Sequence, residues 1–295
     1  MKENFEIELD KKVAEVKFKI IQHKVHEHRI AQVWKKFEAA GFKPLLIKGW
    51  VTARKYPKPF ERTFVDFDLV FSPQEFESAV NFKENNSFEY LIDLHNGVRH
   101  LDSLSFEELY QRAEIVEFGE IKVKIPCEED HLRIICVHWL NDGGEYKDKL
   151  WDLYYAIENR KNDFDWEKCL SVVDEKRRRW IVCAIGVAHK YLELDLKNTP
   201  IENEAKKIPK WLINTLEKEW RLNTPLKPIQ HLLSDRKELW IQIKKRFPPN
   251  PIQATIEVNG DFDKYPRIIY QGLDIFKRLL PSLKRLKLQY FTRSL

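Results

Sequence analysis

Every segment of this chain that reads as a β-strand lies before Pro126, and everything after it reads as helix. Strands first and helices afterwards is the pattern of an α+β protein: a small mixed sheet flanked by helices, followed by a mostly helical C-terminal domain. The division expected is residues 1–126 and 127–295. The strand candidates are Pro44–Ile47, Arg62–Phe71, Phe88–His95 and a hairpin from Ile115 to Ile125 that bends at Gly119-Glu120. Ahead of them, apolar residues from Val13 to Phe37 recur at three- and four-residue steps and end at Gly41, which predicts one long helix or two from about Asp10 to Ala40. Beyond Glu128 the helical period continues through Leu132, Ile135 and Trp139, then Leu150 to Ile157, then Trp180 to Tyr191. Further helices are expected at Glu204–Lys218, near Ser234–Lys245, and from Tyr265 to Tyr290.

A chain of 295 residues buries roughly three quarters of its unfolded surface, so a substantial core is available. Charged residues at 33% and apolar ones at 43% describe a folded protein, and a net charge of +5 admits an anionic ligand but falls short of a dedicated nucleic-acid binder. No apolar run reaches the ~18 residues of a membrane span, and the N-terminus is too charged for a signal peptide, so a cytoplasmic protein is expected. Cys127, Cys136, Cys169 and Cys183 lack paired spacing, which predicts reduced thiols rather than a zinc knuckle or a disulfide framework.

Within the second strand candidate, Asp66 and Asp68 interrupt an apolar run. A period of two would bury Val65, Phe67 and Leu69 and set the two carboxylates side by side on the other face, where they can share a divalent cation. The chain contains its own control, because Asp-Phe-Asp occurs three times. Asp163-Phe164-Asp165 precedes Trp166-Glu167-Lys168 as a loop entering a helix, and Asp261-Phe262-Asp263 follows Asn259-Gly260 as a turn. Only the first copy has strand flanks, the Lys48-Gly49 turn upstream and a further aspartate, Asp93, in a later apolar run.

That upstream turn leads from a strand into a helix expected at Trp50–Tyr56, where a glycine lets the backbone approach a phosphate. Ser72-Pro73-Gln74-Glu75 and Ser105-Phe106-Glu107-Glu108 are both capping boxes. In the third strand candidate, Asp93 and His95 would share the face that carries Asp66 and Asp68. His23, His26 and His28 sit in a charged helix and read as a solvated face. The C-terminal run from Phe276 to Leu288 is basic and amphipathic and reads as a helix with its apolar stripe on the core.

Taken together, Leu45-Leu46-Ile47-Lys48-Gly49, Tyr56-Pro57, Arg62 four residues before Asp66-Phe67-Asp68, and Ile92-Asp93-Leu94-His95 resemble the nucleotidyltransferase superfamily, and within it a bacterial branch of uncharacterised nucleotidyltransferases. The likeness covers about residues 30 to 160. It implies Asp66, Asp68 and Asp93 as catalytic metal ligands, with the Lys48-Gly49 turn on the triphosphate; by charge, Arg62 or Lys48 is expected as a further phosphate contact, with a structural ion pair as the other reading of Arg62. It also implies two Mg²⁺ ions and ATP as the donor of AMP to a hydroxyl of an acceptor that the sequence leaves open among protein, RNA, sugar and small molecule. The superfamily usually follows the turn glycine with Ser or Gly, whereas this chain has Trp50, an indole that either fills the core or stacks on a base. Two other readings stand beside it. One is a non-catalytic nucleotide- or partner-binding module on the same fold; the other is a ribonuclease, because Arg133 and His138 have the spacing of the HEPN motif.

Overall fold

In a computed structural model the described residues are 2–98, 104–118, 120–222, 224, 226, 227, 232 and 234–292, with side chains described for 11–279 of these. Gly119 of the expected hairpin bend lies outside them, as do the side chains of the basic run beyond residue 279. The fold is α+β, with a small mixed sheet flanked by helices and a helical C-terminal region. The chain divides into two compact units, Met1–Ile135 with Trp151–Val173, and Cys136–Leu150 with Asp174–Leu295.

The first unit is built on helix α1 (Lys2–Ala39) and strands β1 (Leu45–Ile47), β2 (Phe67–Phe71) and β3 (Ile92–Asn96). Strand β1 runs antiparallel to β2, with Leu46 opposite Leu69, and β3 runs parallel to β2, with Asp68 opposite Asp93 and Val70 opposite His95. A parallel neighbour needs a crossover, which α3 (Pro73–Asn85) supplies between β2 and β3. Ser72 starts it by accepting a hydrogen bond from the Glu75 amide, and Pro73 occupies a first-turn position where its missing N–H costs nothing. Phe67, Leu69 and Phe71 then face Ile30, Val33, Trp34 and Phe37 of α1 in one apolar core.

Two expectations fail here. Val65 is 65% exposed rather than buried, because the strand begins only at Phe67, where pairing with Ile92 begins. The third strand likewise begins late, at Ile92 rather than Phe88, so Leu91 stands outside β3. His26 is a third correction: it is buried against Phe64 and Phe67, so the histidine cluster is not wholly a solvated face.

Helices α2 (Gly49–Ala53) and α4 (Phe106–Arg112) and the antiparallel hairpin β4 (Glu114–Phe118) and β5 (Ile121–Ile125) complete the N-terminal part of this unit. Ser105 and Glu108 form the full capping box that opens α4. Helix α5 (Glu128–Asn141) follows, and α6 (Leu150–Glu158) and α7 (Trp166–Leu170) bring residues 151–173 back onto the sheet-bearing unit. Asp165 caps α7 as its local sequence predicts.

In the second unit, α8 (Glu175–Leu192) buries an unbroken run from Trp180 to Ala188. Short α9 (Glu202–Ala205) and longer α10 (Lys210–Leu222) replace the single helix expected at Glu204–Lys218, and α11 (Arg236–Arg246), α12 (Pro251–Glu257) and α13 (Arg267–Thr292) follow. Backbone carbonyls take the indole N–H groups here: Trp180 donates to Gly260 at 3.0 Å and Trp220 to Gly144 at 2.8 Å. The third Asp-Phe-Asp copy is the turn its context predicts, with Asp261 Oδ1 accepting from the amides of Asp263 and Lys264.

Candidate metal centre

Parallel pairing of β2 and β3 in this register places Asp68 directly beside Asp93, and the period of two brings His95 onto the same face. One ligand atom from each of Asp68, Asp93 and His95 lies within 4.8 Å of the others, a spacing at which the three can hold a metal ion. The burial of the three is graded. Asp68 is enclosed at 5% exposure, His95 is half-buried, and the Asp93 side chain is open to solvent. Asp66, in the bend before β2, is exposed and lies outside this cluster.

Asp68 is the hub. Its Oδ1 accepts from Lys48 Nζ at 2.7 Å and from His95 Nε2 at 2.8 Å, while Asp93 Oδ2 stands 3.7 Å from the same imidazole nitrogen. Burial pushes the Asp68 carboxyl upward, but the His95 hydrogen bond and the Lys48 ammonium outweigh it and leave the group below its ordinary value. Asp68 is thus held as a carboxylate, and a carboxylate is what a cation needs. The donor set of two carboxylates and one imidazole suits a divalent ion of intermediate character as well as a hard one.

Lys48 reaches Asp68 from a left-handed backbone, φ 52°, and Gly49 follows at φ 27°. A Cβ on Gly49 would come to 3.6 Å from the Asp66 carbonyl and from the Phe64 ring, so the turn lies close against the segment that leads into β2. Trp50 fills the core: it is 6% exposed, stands edge-on to Phe118 at 4.4 Å and donates to Glu27 at 3.2 Å.

Arg62 is engaged elsewhere. Its Nε and Nη2 grip both oxygens of Asp152 at 2.7 and 2.9 Å, and Tyr56 Oη donates to the same carboxylate at 2.6 Å. Nothing in the sequence near Arg62 announces this, because Asp152 lies 90 residues further along the chain. Arg133 is buried on Asp130 and also donates to the Cys169 carbonyl, so the arginine of the HEPN spacing serves a structural ion pair. His95 was legible as a residue on the acidic face, but its bond to Asp68 was not. All four cysteines are buried and none forms a disulfide.

Fold and centre together define an α+β protein whose small sheet presents a carboxylate–imidazole cluster able to take a metal ion. No family model matches the chain, and no curated protein matches it. Among solved structures it is similar to an antigenic nucleotidyltransferase-like protein from Paracoccidioides brasiliensis, at 11% identity over 57% of this chain and 89% of the other, with a TM-score of 0.38. No helix among the described residues is long and apolar enough to cross a membrane.

Proposed function

We propose that the chain is a divalent-metal-dependent nucleotidyltransferase that moves AMP from ATP onto a hydroxyl. The observation that carries this reading is the cluster itself: Asp68 and Asp93 are register partners on adjacent parallel strands, with Lys48 of the glycine turn on the same carboxylate. Two carboxylates so placed, with an ammonium beside them, match what transfer of a phosphoryl-type group requires, because that chemistry is mostly charge neutralisation and positioning. Mg²⁺ at the cluster would neutralise charge on the nucleotide phosphates and lower the pKa of the attacking hydroxyl.

The chain's own residues divide the remaining work. Asp68, buried and ionised, anchors the site, and His95 fixes the orientation of its Oδ1. Asp93, exposed on the same face, is placed to receive the proton of the acceptor hydroxyl as its oxygen bonds to the α-phosphorus and pyrophosphate leaves with the electron pair of the broken P–O bond. Lys48 can exchange Asp68 for a phosphate oxygen without moving its backbone, since its four-carbon stem is flexible. Asp66 completes the acidic set in this proposal by approaching from the exposed bend before β2.

Thermal unfolding of wild type, Asp68→Asn and Asp93→Asn with each nucleoside triphosphate, with and without Mg²⁺, tests it. ATP at a hundred times its dissociation constant adds about 2.7 kcal/mol to a protein that binds it. Stabilisation of wild type by ATP only with Mg²⁺, lost in both variants, is the expected result. Equal stabilisation of all three proteins, or none, would sink the reading.

A further inference from the structure

Next to the cluster the first unit holds a cavity of ≈ 660 Å³, within the range of small-molecule sites. His95 contributes to its lining, so the cavity shares a wall residue with the metal centre. Leu94, Phe106, Leu109 and Ile134 supply apolar wall. The lining also includes Asp130 and Arg133, both at least 98% buried by their exposures of 1% and 2%.

The charge around that buried pair does not balance. Asp130 is shared by two cations, Arg133 and Arg112, the latter at 3.1 Å, which leaves one positive charge in excess among the described residues. The carbonyls of Lys168 and Cys169 take further N–H groups of the two guanidiniums, yet among the described residues the Nε hydrogens of both Arg112 and Arg133 find no acceptor and Asp130 Oδ2 finds no donor. A buried donor without an acceptor is costly, and native proteins rarely keep one without a use. A lining with apolar wall at Phe106, Leu109 and Ile134, polar groups at Asn96 and Ser105, a guanidinium with an unpartnered N–H at Arg133 beside Asp130, and His95 of the metal centre specifies its ligand by chemistry.

We infer that this cavity is the acceptor site and that it takes a compact hydroxycarboxylic acid, its carboxylate against Arg133, its apolar body along Phe106, Leu109 and Ile134, and its hydroxyl presented at the His95 end. The assignment rests on the transfer reading above. In the step it implies, the acid's hydroxyl oxygen bonds to the α-phosphorus of ATP, the bond to the β-phosphate oxygen breaks, pyrophosphate departs with the electron pair, and the hydroxyl proton goes to Asp93. A macromolecular acceptor would instead present its hydroxyl from outside and leave the cavity without a role.

The experiment measures binding of para-hydroxyphenylacetate, para-hydroxybenzoate and mandelate, each against its neutral amide, to the full chain. Wild type, Val98→Trp, which narrows the cavity from its half-buried rim, and Ile134→Phe, which fills it from within, are compared, and Mg²⁺ with ATP is titrated separately by thermal shift. At least one acid is expected to bind about tenfold more tightly than its amide, as a charge-assisted contact predicts, and to lose that binding in a folded variant while Mg²⁺-ATP stabilisation is unchanged. Acid and amide binding alike, or no acid binding, overturns the inference, and this comparison decides even if both variants fail to fold. Nucleotide stabilisation without acid binding discards the cavity assignment and keeps the transfer reading. Acid binding without nucleotide stabilisation discards the transfer reading and the acceptor role with it.

Discussion

Lys48 Nζ lies 2.7 Å from Asp68 Oδ1, so the most buried carboxylate of the cluster is neutralised from within the chain. Both side chains are largely enclosed, at 15% and 6% exposure, and removing one member of such a pair strands the other's charge. Lys48→Met is expected to cost about 3 kcal/mol in urea unfolding, at the lower end of what breaking a buried pair costs. The same variant should gain more stability from millimolar Mn²⁺ than wild type does, because the ion no longer competes with an ammonium. A variant as stable as wild type, and no more responsive to Mn²⁺, would show that Lys48 does not hold Asp68 in solution.

The Asp152 carboxylate ties Arg62 and Tyr56 to one point. Burial first, and then the Asp152 charge, holds the Tyr56 phenol well above its ordinary range, so it stays a donor across the accessible pH range. Asp152→Ala should lower stability by about 3 kcal/mol, and a double-mutant cycle with Arg62→Ala should return a coupling energy of about 1–3 kcal/mol. Additive losses in that cycle would place the two residues out of contact.

His131 is fully enclosed, 3.1 Å from Thr52 Oγ1, and burial, then the charges of Lys55 and Arg54, depresses its pKa from 6.5 to about 3. Between those values the unfolded chain binds a proton that the folded chain refuses. Stability is therefore fully present above 6.5 and falls as pH drops toward 3, by up to about 1.4 kcal/mol per pH unit. Urea midpoints measured at neutral pH and near pH 5 should separate more for wild type than for His131→Asn. Equal separations would assign the acid sensitivity to other groups.

Gly186 sits in α8 where an added Cβ would come within 2.1 Å of the Ala205 carbonyl oxygen and 3.2 Å of Ile208. A backbone oxygen cannot rotate away, so relief requires α9 to shift as a whole. Gly186→Ala is expected to lose about 1–3 kcal/mol despite alanine's better helix propensity, with the loss read from the thermal midpoint. A gain in stability would mean that α8 and α9 stand further apart than described.

Local signals were the legible part of this chain. Asp165 capping α7, the Ser105–Glu108 box and the Asp261 turn all lie within a few residues of the groups they satisfy, and each was readable from the sequence. The same holds for the class of fold, because the switch from a period of two to a period of three to four near Pro126 is written along the chain. The limits of strand β2 were harder. Val65 continues the apolar alternation but has no partner strand beside it, and pairing rather than pattern sets where a strand begins.

By itself, then, the sequence determined that Asp68 sits in a strand, that another strand carries Asp93 and His95 two residues apart, and that the chain beyond Pro126 is helical. Only the tertiary structure decided that β3 runs parallel to β2 with Asp68 opposite Asp93, that His95 and Lys48 meet on one oxygen, and that Arg62 turns to Asp152. The physical reason is that a carboxylate leaves no mark on the sequence around the cation that will neutralise it. The partner is whichever donor the packing of distant helices and strands brings within hydrogen-bonding distance, 20, 27 and 90 residues away in these three cases.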